Sequence, residues 1–131
     1  MDEDEWFRRH GLHPADLGPV RELLAELSEQ DWEADTLLMR LCCIQLFNAG
    51  HLDDVLRIWD AKVSSFDAHC SIDVQLLCGT GLTETKAYLA AHPSPEAADA
   101  LEWLLGCEET GDFEGFSVAG RSAVYAAYYR D

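Results

Sequence analysis

The chain has 131 residues, with 25 acidic side chains against 9 Lys and Arg, a formal net charge of −16. Such a surface repels phosphate, which argues against nucleic acid as a ligand. At 48% hydrophobic with 10% aromatic residues, the sequence is too apolar for an acidic disordered segment and long enough to bury a core as one domain over 1–131. No apolar stretch reaches the length of a membrane span, and Met1-Asp2-Glu3-Asp4-Glu5 has the opposite charge to a secretory leader, so no membrane partner and a cytoplasmic location are expected.

Asp4 to His10 predicts a short helical turn, ended by Gly11 and the Pro14 region. Pro19 stands where a first-turn proline belongs, and Val20, Leu23, Leu24 and Leu27 follow at helical spacing, predicting an amphipathic helix over 19–29 with Glu22, Glu26 and Glu29 outside. The segment 33–48 is apolar almost all round, from Leu37 and Leu38 to Leu46 and Phe47, which marks a central, buried helix closed by Gly50. A helix over 52–64 is expected to bury Leu52, Val55, Leu56, Trp59 and Val63, with an Asp53–Arg57 pair one turn apart.

Asp67 is the expected cap of a helix over 68–78, broken by Gly79-Thr80-Gly81. A shorter helix over 82–91 stops at His92-Pro93. Ser94-Pro95-Glu96 starts the next, over 95–108, expected to bury Ala98, Leu101, Leu104 and Leu105. After Gly111-Asp112 a last helix over 117–129 aligns Val118, Ser122, Tyr125 and Tyr129. The absence of a long period-2 run makes the class all-α, with six to eight helices. Either stacked antiparallel hairpins, as in an α-solenoid, or an irregular helical bundle accommodates them.

Gly50, Gly81 and Gly111 recur at intervals of 31 and 30 residues, the size of one helix–turn–helix unit. The stretch Leu46-Phe47-Asn48-Ala49-Gly50-His51-Leu52-Asp53-Asp54-Val55-Leu56 resembles the inter-helix turn of tetratricopeptide repeats and is similar to turns of HEAT-type repeats. The resemblance covers 33–64 and implies stacked helix hairpins with a concave, protein-binding face.

No catalytic set is legible. Cys42, Cys43, Cys70, Cys78 and Cys107 lie in apolar runs without metal spacing and read as buried hydrophobes in a reducing compartment. His10 and His13 have the spacing of two metal ligands, but Gly11 and Pro14 break the helix that would hold them. His69 and Cys70 are adjacent, so on a helix they point apart. Neither metal nor cofactor is expected, and the protein reads as no enzyme. Asp73, in an otherwise apolar run, is a candidate buried carboxylate needing Lys62, Arg57 or Arg40 as partner.

Trp59 and Trp103 sit among Leu and Val and are expected in the core. Trp6 and Trp32 are flanked by acids, the pattern of aromatic anchors for a partner. Residues 1–35 carry 11 acids and 3 bases, residues 84–131 carry 9 and 3, and the middle carries 5 and 3, so the charge lies at the two ends of the chain. Trp6, Glu29, Asp31, Trp32, Glu33 and Tyr128 are therefore the candidate partner-binding residues. In size and charge the chain is similar to small acidic bacterial immunity proteins. That resemblance implies an inhibitor that captures a basic partner protein such as a toxin, nuclease or other effector, while a concave helical face would suit a peptide. The alternatives are a small-ligand or enzymatic pocket near Asp73, His69 and Cys70, or a structural, oligomerising domain.

Overall fold

An apolar run without a polar face is satisfied only at the centre of a domain. The computed structural model describes residues 1–130 and is all-helical. Its helices are α1 (Glu3–His10), α2 (Gly18–Glu29), α3 (Thr36–Ala49), α4 (Val55–Lys62), α5 (Phe66–Ser71), α6 (Leu82–Ala91), α7 (Pro95–Glu109) and α8 (Val118–Tyr128). Short 3₁₀ turns stand at Asp31–Glu33, Leu52–Asp54 and Val74–Leu77. The apolar run forms α3, in which every residue from Leu41 to Phe47 is buried. Around it pack α1, α2, α5 and α8, while α4 bridges α2, α5 and α7, and α6 pairs with α7.

The first and last helices meet. The Tyr129 hydroxyl donates to Glu3 Oε2 at 2.6 Å, and the rings of Phe7 and Tyr129 stack at 4.9 Å. A linear stack of hairpins keeps contacts between neighbours in sequence, so of the two layouts these contacts are those of an irregular bundle. Gly50, Gly81 and Gly111 all have positive φ. They occupy different places, however: Gly50 is the left-handed C-cap of α3, Gly81 precedes α6, and Gly111 lies beyond the end of α7.

Helix starts follow the polar residues before them. The Asp35 carboxylate accepts from the Leu37 and Leu38 amides at 3.1 Å, Ser94 caps α7 through the Ala97 amide, and Ser117 caps α8 through Gly120. Gly79 matters for closeness. A Cβ there would lie 2.6 Å from the Phe47 carbonyl oxygen, and neither is a flexible side-chain end that could move aside. Gly79→Ala is expected to cost about 2 kcal/mol, read as a lowered urea midpoint; an unchanged midpoint would mean that these backbones can separate freely.

Several expectations give way. The helix expected over 68–78 splits: α5 ends at Ser71, Ile72 and Asp73 are extended, and 74–77 is a 3₁₀ turn. The cause lies on α4, where buried Lys62 donates to the His69 carbonyl at 2.7 Å and to that of Ile72, satisfying the carbonyls a continuing helix would have used. The cap is Ser65, whose hydroxyl accepts from the Ala68 amide at 3.0 Å, not Asp67. On α7 the buried face is Ala97, Ala100 and Leu104, because the small alanines let its neighbours approach. Ala98 and Leu105 are accordingly exposed, and so is Trp103, at 44%. Val63 is exposed just beyond α4. Of the cysteines, Cys42, Cys43 and Cys78 are buried, while Cys70 is exposed and Cys107 half-buried.

Candidate functional site

The positive side chains are largely occupied in holding the fold together. Arg21 clasps Asp54 with Nε–Oδ1 at 2.8 Å and Nη2–Oδ2 at 2.9 Å, and Arg57 Nε reaches the same Oδ1 at 3.0 Å. The Asp54 side chain is 1% exposed; it, and not Asp53, is the partner of Arg57. The hydrogen bond to Asp54 holds the Arg21 guanidinium above its ordinary range. Lys86 pairs with Glu108 at 3.0 Å and Arg9 with Glu5 at 3.1 Å. Lys62 is buried among carbonyls, and Arg40 stands 4.6 Å from the Tyr128 ring centroid. The outer carboxylates of α2 and of the 31–35 segment are exposed. The field outside is therefore more one-sided than the composition alone implies.

Among the candidate residues, the structure brings Glu29, Asp31, Trp32 and Glu33 together on a short exposed corner. Asp31 has φ 58° and is the non-glycine residue in the left-handed region among the described residues, a conformation costing about 1 kcal/mol. The 3₁₀ turn it opens holds Trp32 at 75% exposure. Arg21 on α2 meets Asp54 just before α4, and a cleft between the two helices is lined by Ser28 and Glu29 of α2 and Arg57 and Asp60 of α4. Val63 and Phe66, the latter 81% exposed, are further exposed apolar side chains, beyond α4 and at the start of α5.

Trp6 is not part of that surface. It is buried, with its ring 4.0 Å from that of His10, and its indole N–H donates to Gln45 Oε1 at 2.9 Å. Gln45, itself buried, donates to the Gly11 carbonyl at 2.7 Å. A buried indole N–H needs such a partner, so Trp6 pins α1 to α3 and cannot serve as an anchor. Tyr128 is exposed at the opposite terminus under Arg40. Asp73 is half-buried, and its partner is none of the three expected cations. It accepts from the Tyr125 hydroxyl at 2.5 Å, which together with burial holds that phenol well above its ordinary range.

Two adjoining cavities were not legible in the sequence. One, of about 350 Å³, is lined by Lys62, His69, Cys70, Asp73, Gln75 and Cys107, among others. It brings together the three residues named for a pocket. Burial lowers both Lys62 and His69 and raises the Cys107 thiol. The larger, about 640 Å³, lies between α4 and α7, walled by Trp59 and Trp103 and edged by Asp99, Glu102 and Asp112. No described residue lining it is basic. Trp103, at its rim, also touches His69 edge-on at 4.8 Å.

No protein-family model, curated protein or solved structure matches the chain. No helix among the described residues is long and apolar enough to cross a membrane, and no group of three or more His, Cys, Asp or Glu among them is placed to hold a metal ion.

Proposed function

We propose that this protein is a non-enzymatic interaction module, of inhibitor or immunity type, that captures a basic partner protein through the exposed corner bearing Glu29, Asp31, Trp32 and Glu33. The observation that carries the reading is Trp32, an indole held almost entirely in solvent by a left-handed Asp31 and bordered by carboxylates. A large apolar side chain held this way contributes nothing to the core, yet has the character of an interface anchor. The division of labour follows from physics: the acids act at a distance and set the rate of encounter, while Trp32 acts at contact and sets the lifetime of the complex.

A purified ribonuclease of strongly basic isoelectric point serves as probe in stopped-flow measurements. Association is expected to slow at least tenfold between about 20 mM and about 300 mM salt, as the screening length shortens. The triple variant Glu29→Lys, Asp31→Lys, Glu33→Lys should slow association about tenfold with little change in dissociation, and Trp32→Ala should do the reverse. Capture indifferent to salt and to both variants would refute the reading.

The second reading, a small-ligand or enzymatic pocket, draws on the gathering of His69, Cys70 and Asp73 around one cavity. It is the weaker because Asp73 is engaged by Tyr125 and Lys62 by two carbonyls, leaving no free acid–base pair beside a nucleophile.

A further inference from the structure

Along α7, Asp99, Trp103, Gly106 and Thr110 recur at intervals of four, three and four residues, the spacing of one helical stripe, and all four line the larger cavity. Gly106 is unusual there. It lies inside the helix, and a Cβ added to it would meet nothing within 4 Å. Neither turn geometry nor close packing calls for glycine, and a mid-helix glycine costs about 1 kcal/mol against alanine. What the missing side chain does provide is open space on the stripe beside Trp103, across from Trp59.

We infer that this groove is a pocket for an arginine side chain of a basic protein, the guanidinium lying against the Trp103 indole and bonded to the Glu102 and Asp99 carboxylates. Three features select that ligand. The aromatic walls favour a cation over an anion or a neutral group, since an indole face attracts positive charge. The carboxylates at the edge supply acceptors, with no basic residue among the described lining to compete. The apolar wall also suits a planar, weakly hydrated guanidinium on a hydrocarbon stem better than a compact, strongly hydrated ammonium. The volume of about 640 Å³ lies in the range of small-ligand sites. This inference rests on the proposed capture of basic proteins only for the source of the arginine; the pocket and the Trp32 corner are on different elements and fail separately.

The test is a titration of the full chain with N-acetyl-arginine methylamide, followed by the Trp59 and Trp103 indole and the Gly106 and Thr110 amide resonances. The Trp103 signal is assigned from Trp103→Phe. Saturable shifts confined to these residues are expected with a Kd of about 1 mM. The neutral citrulline counterpart should give no saturable shift, and the lysine counterpart should bind about fivefold more weakly. Glu102→Gln should weaken the arginine probe about fivefold. Gly106→Leu should abolish the titration while leaving the thermal midpoint unchanged or higher, a combination that structural damage cannot produce. Equal shifts with citrulline, shifts spread evenly over the acidic surface, or full binding by Gly106→Leu would each overturn the assignment. Normal probe binding alongside failed capture of the basic ribonuclease would keep the pocket and remove the Trp32-corner reading.

Discussion

Raising the pH above about 9 is expected to unfold this protein while its surface carboxylates stay ionised and its arginines stay protonated. Burial pushes the Cys42 and Cys78 thiols up to about 12, and fully buried Cys43 is raised as well. Tyr125 and Tyr129 are raised in the same direction, by burial and by donating to the Asp73 and Glu3 carboxylates. In each case the unfolded chain gives up its proton first. Between the unfolded and folded values the native state therefore binds more protons, and stability falls as pH rises. The contribution is intact below about pH 9 and drains through the window up to about 12. Each of Cys42 and Cys78 withdraws about 3 kcal/mol by about pH 11, and together they approach the total stability of an ordinary small domain. Urea midpoints measured under reducing conditions from about pH 8 to about pH 11 should fall steeply, with Cys42→Ala, Cys78→Ala flattening the slope. A midpoint constant over that range would show that these thiols reach water in the native state.

Loss of Arg21 is expected to be more damaging than loss of its own partner. Asp54 is 1% exposed, takes two hydrogen bonds from Arg21 and forms an ion pair with Arg57. Arg21→Met leaves the carboxylate buried with Arg57 alone and should cost about 3 kcal/mol, within the range for a buried pair broken on one side. Asp54→Asn frees two guanidiniums that are already partly in water, so about 2 kcal/mol is expected. Arg57→Met removes one ion-pair contact made by a half-exposed side chain and should cost about 1 kcal/mol. The double variant Arg21→Met, Asp54→Asn should fall short of the two single costs added together by about 2 kcal/mol. Strict additivity, or equal losses for Arg21 and Arg57, would contradict the bonding pattern.

The same contrast between local and distant causes explains what the chain revealed in one dimension. Helix α3 was legible because lack of a polar face needs no knowledge of neighbours, and the starts at Pro19 and Ser94-Pro95 because capping is settled within a few residues. The break after Ser71 was not, since Lys62 makes it from the preceding helix. A weak signal was present: Ile72, Val74 and Leu76 alternate with polar Asp73 and Gln75, a pattern for non-helical backbone. At the candidate site, the acids flanking Trp32 gave the pattern of an aromatic anchor, and its side chain is exposed. Trp6 has the same acidic flank, but Gln45, 39 residues away, decides its burial. The groove was hidden because Trp103 reads as core when Leu104 and Leu105 follow it. Gly106 in mid-helix, with Asp99 and Glu102 before it, was the signal that could have marked an open face.

The closure of α8 onto the rest of the molecule imposes an order on assembly. Its contacts, Ser122 with Asn48, Tyr125 with Asp73 and Tyr129 with Glu3, span 74, 52 and 126 residues of chain. Contacts of such separation form late, because so much chain must be brought together before they contribute. Since synthesis proceeds from the N-terminus, α1 emerges well before α8 and must wait for its outer neighbour. Throughout that interval the face of α1 destined for Tyr129 stays open, although Trp6 already ties the helix to α3, so this helix is among the last to be sealed.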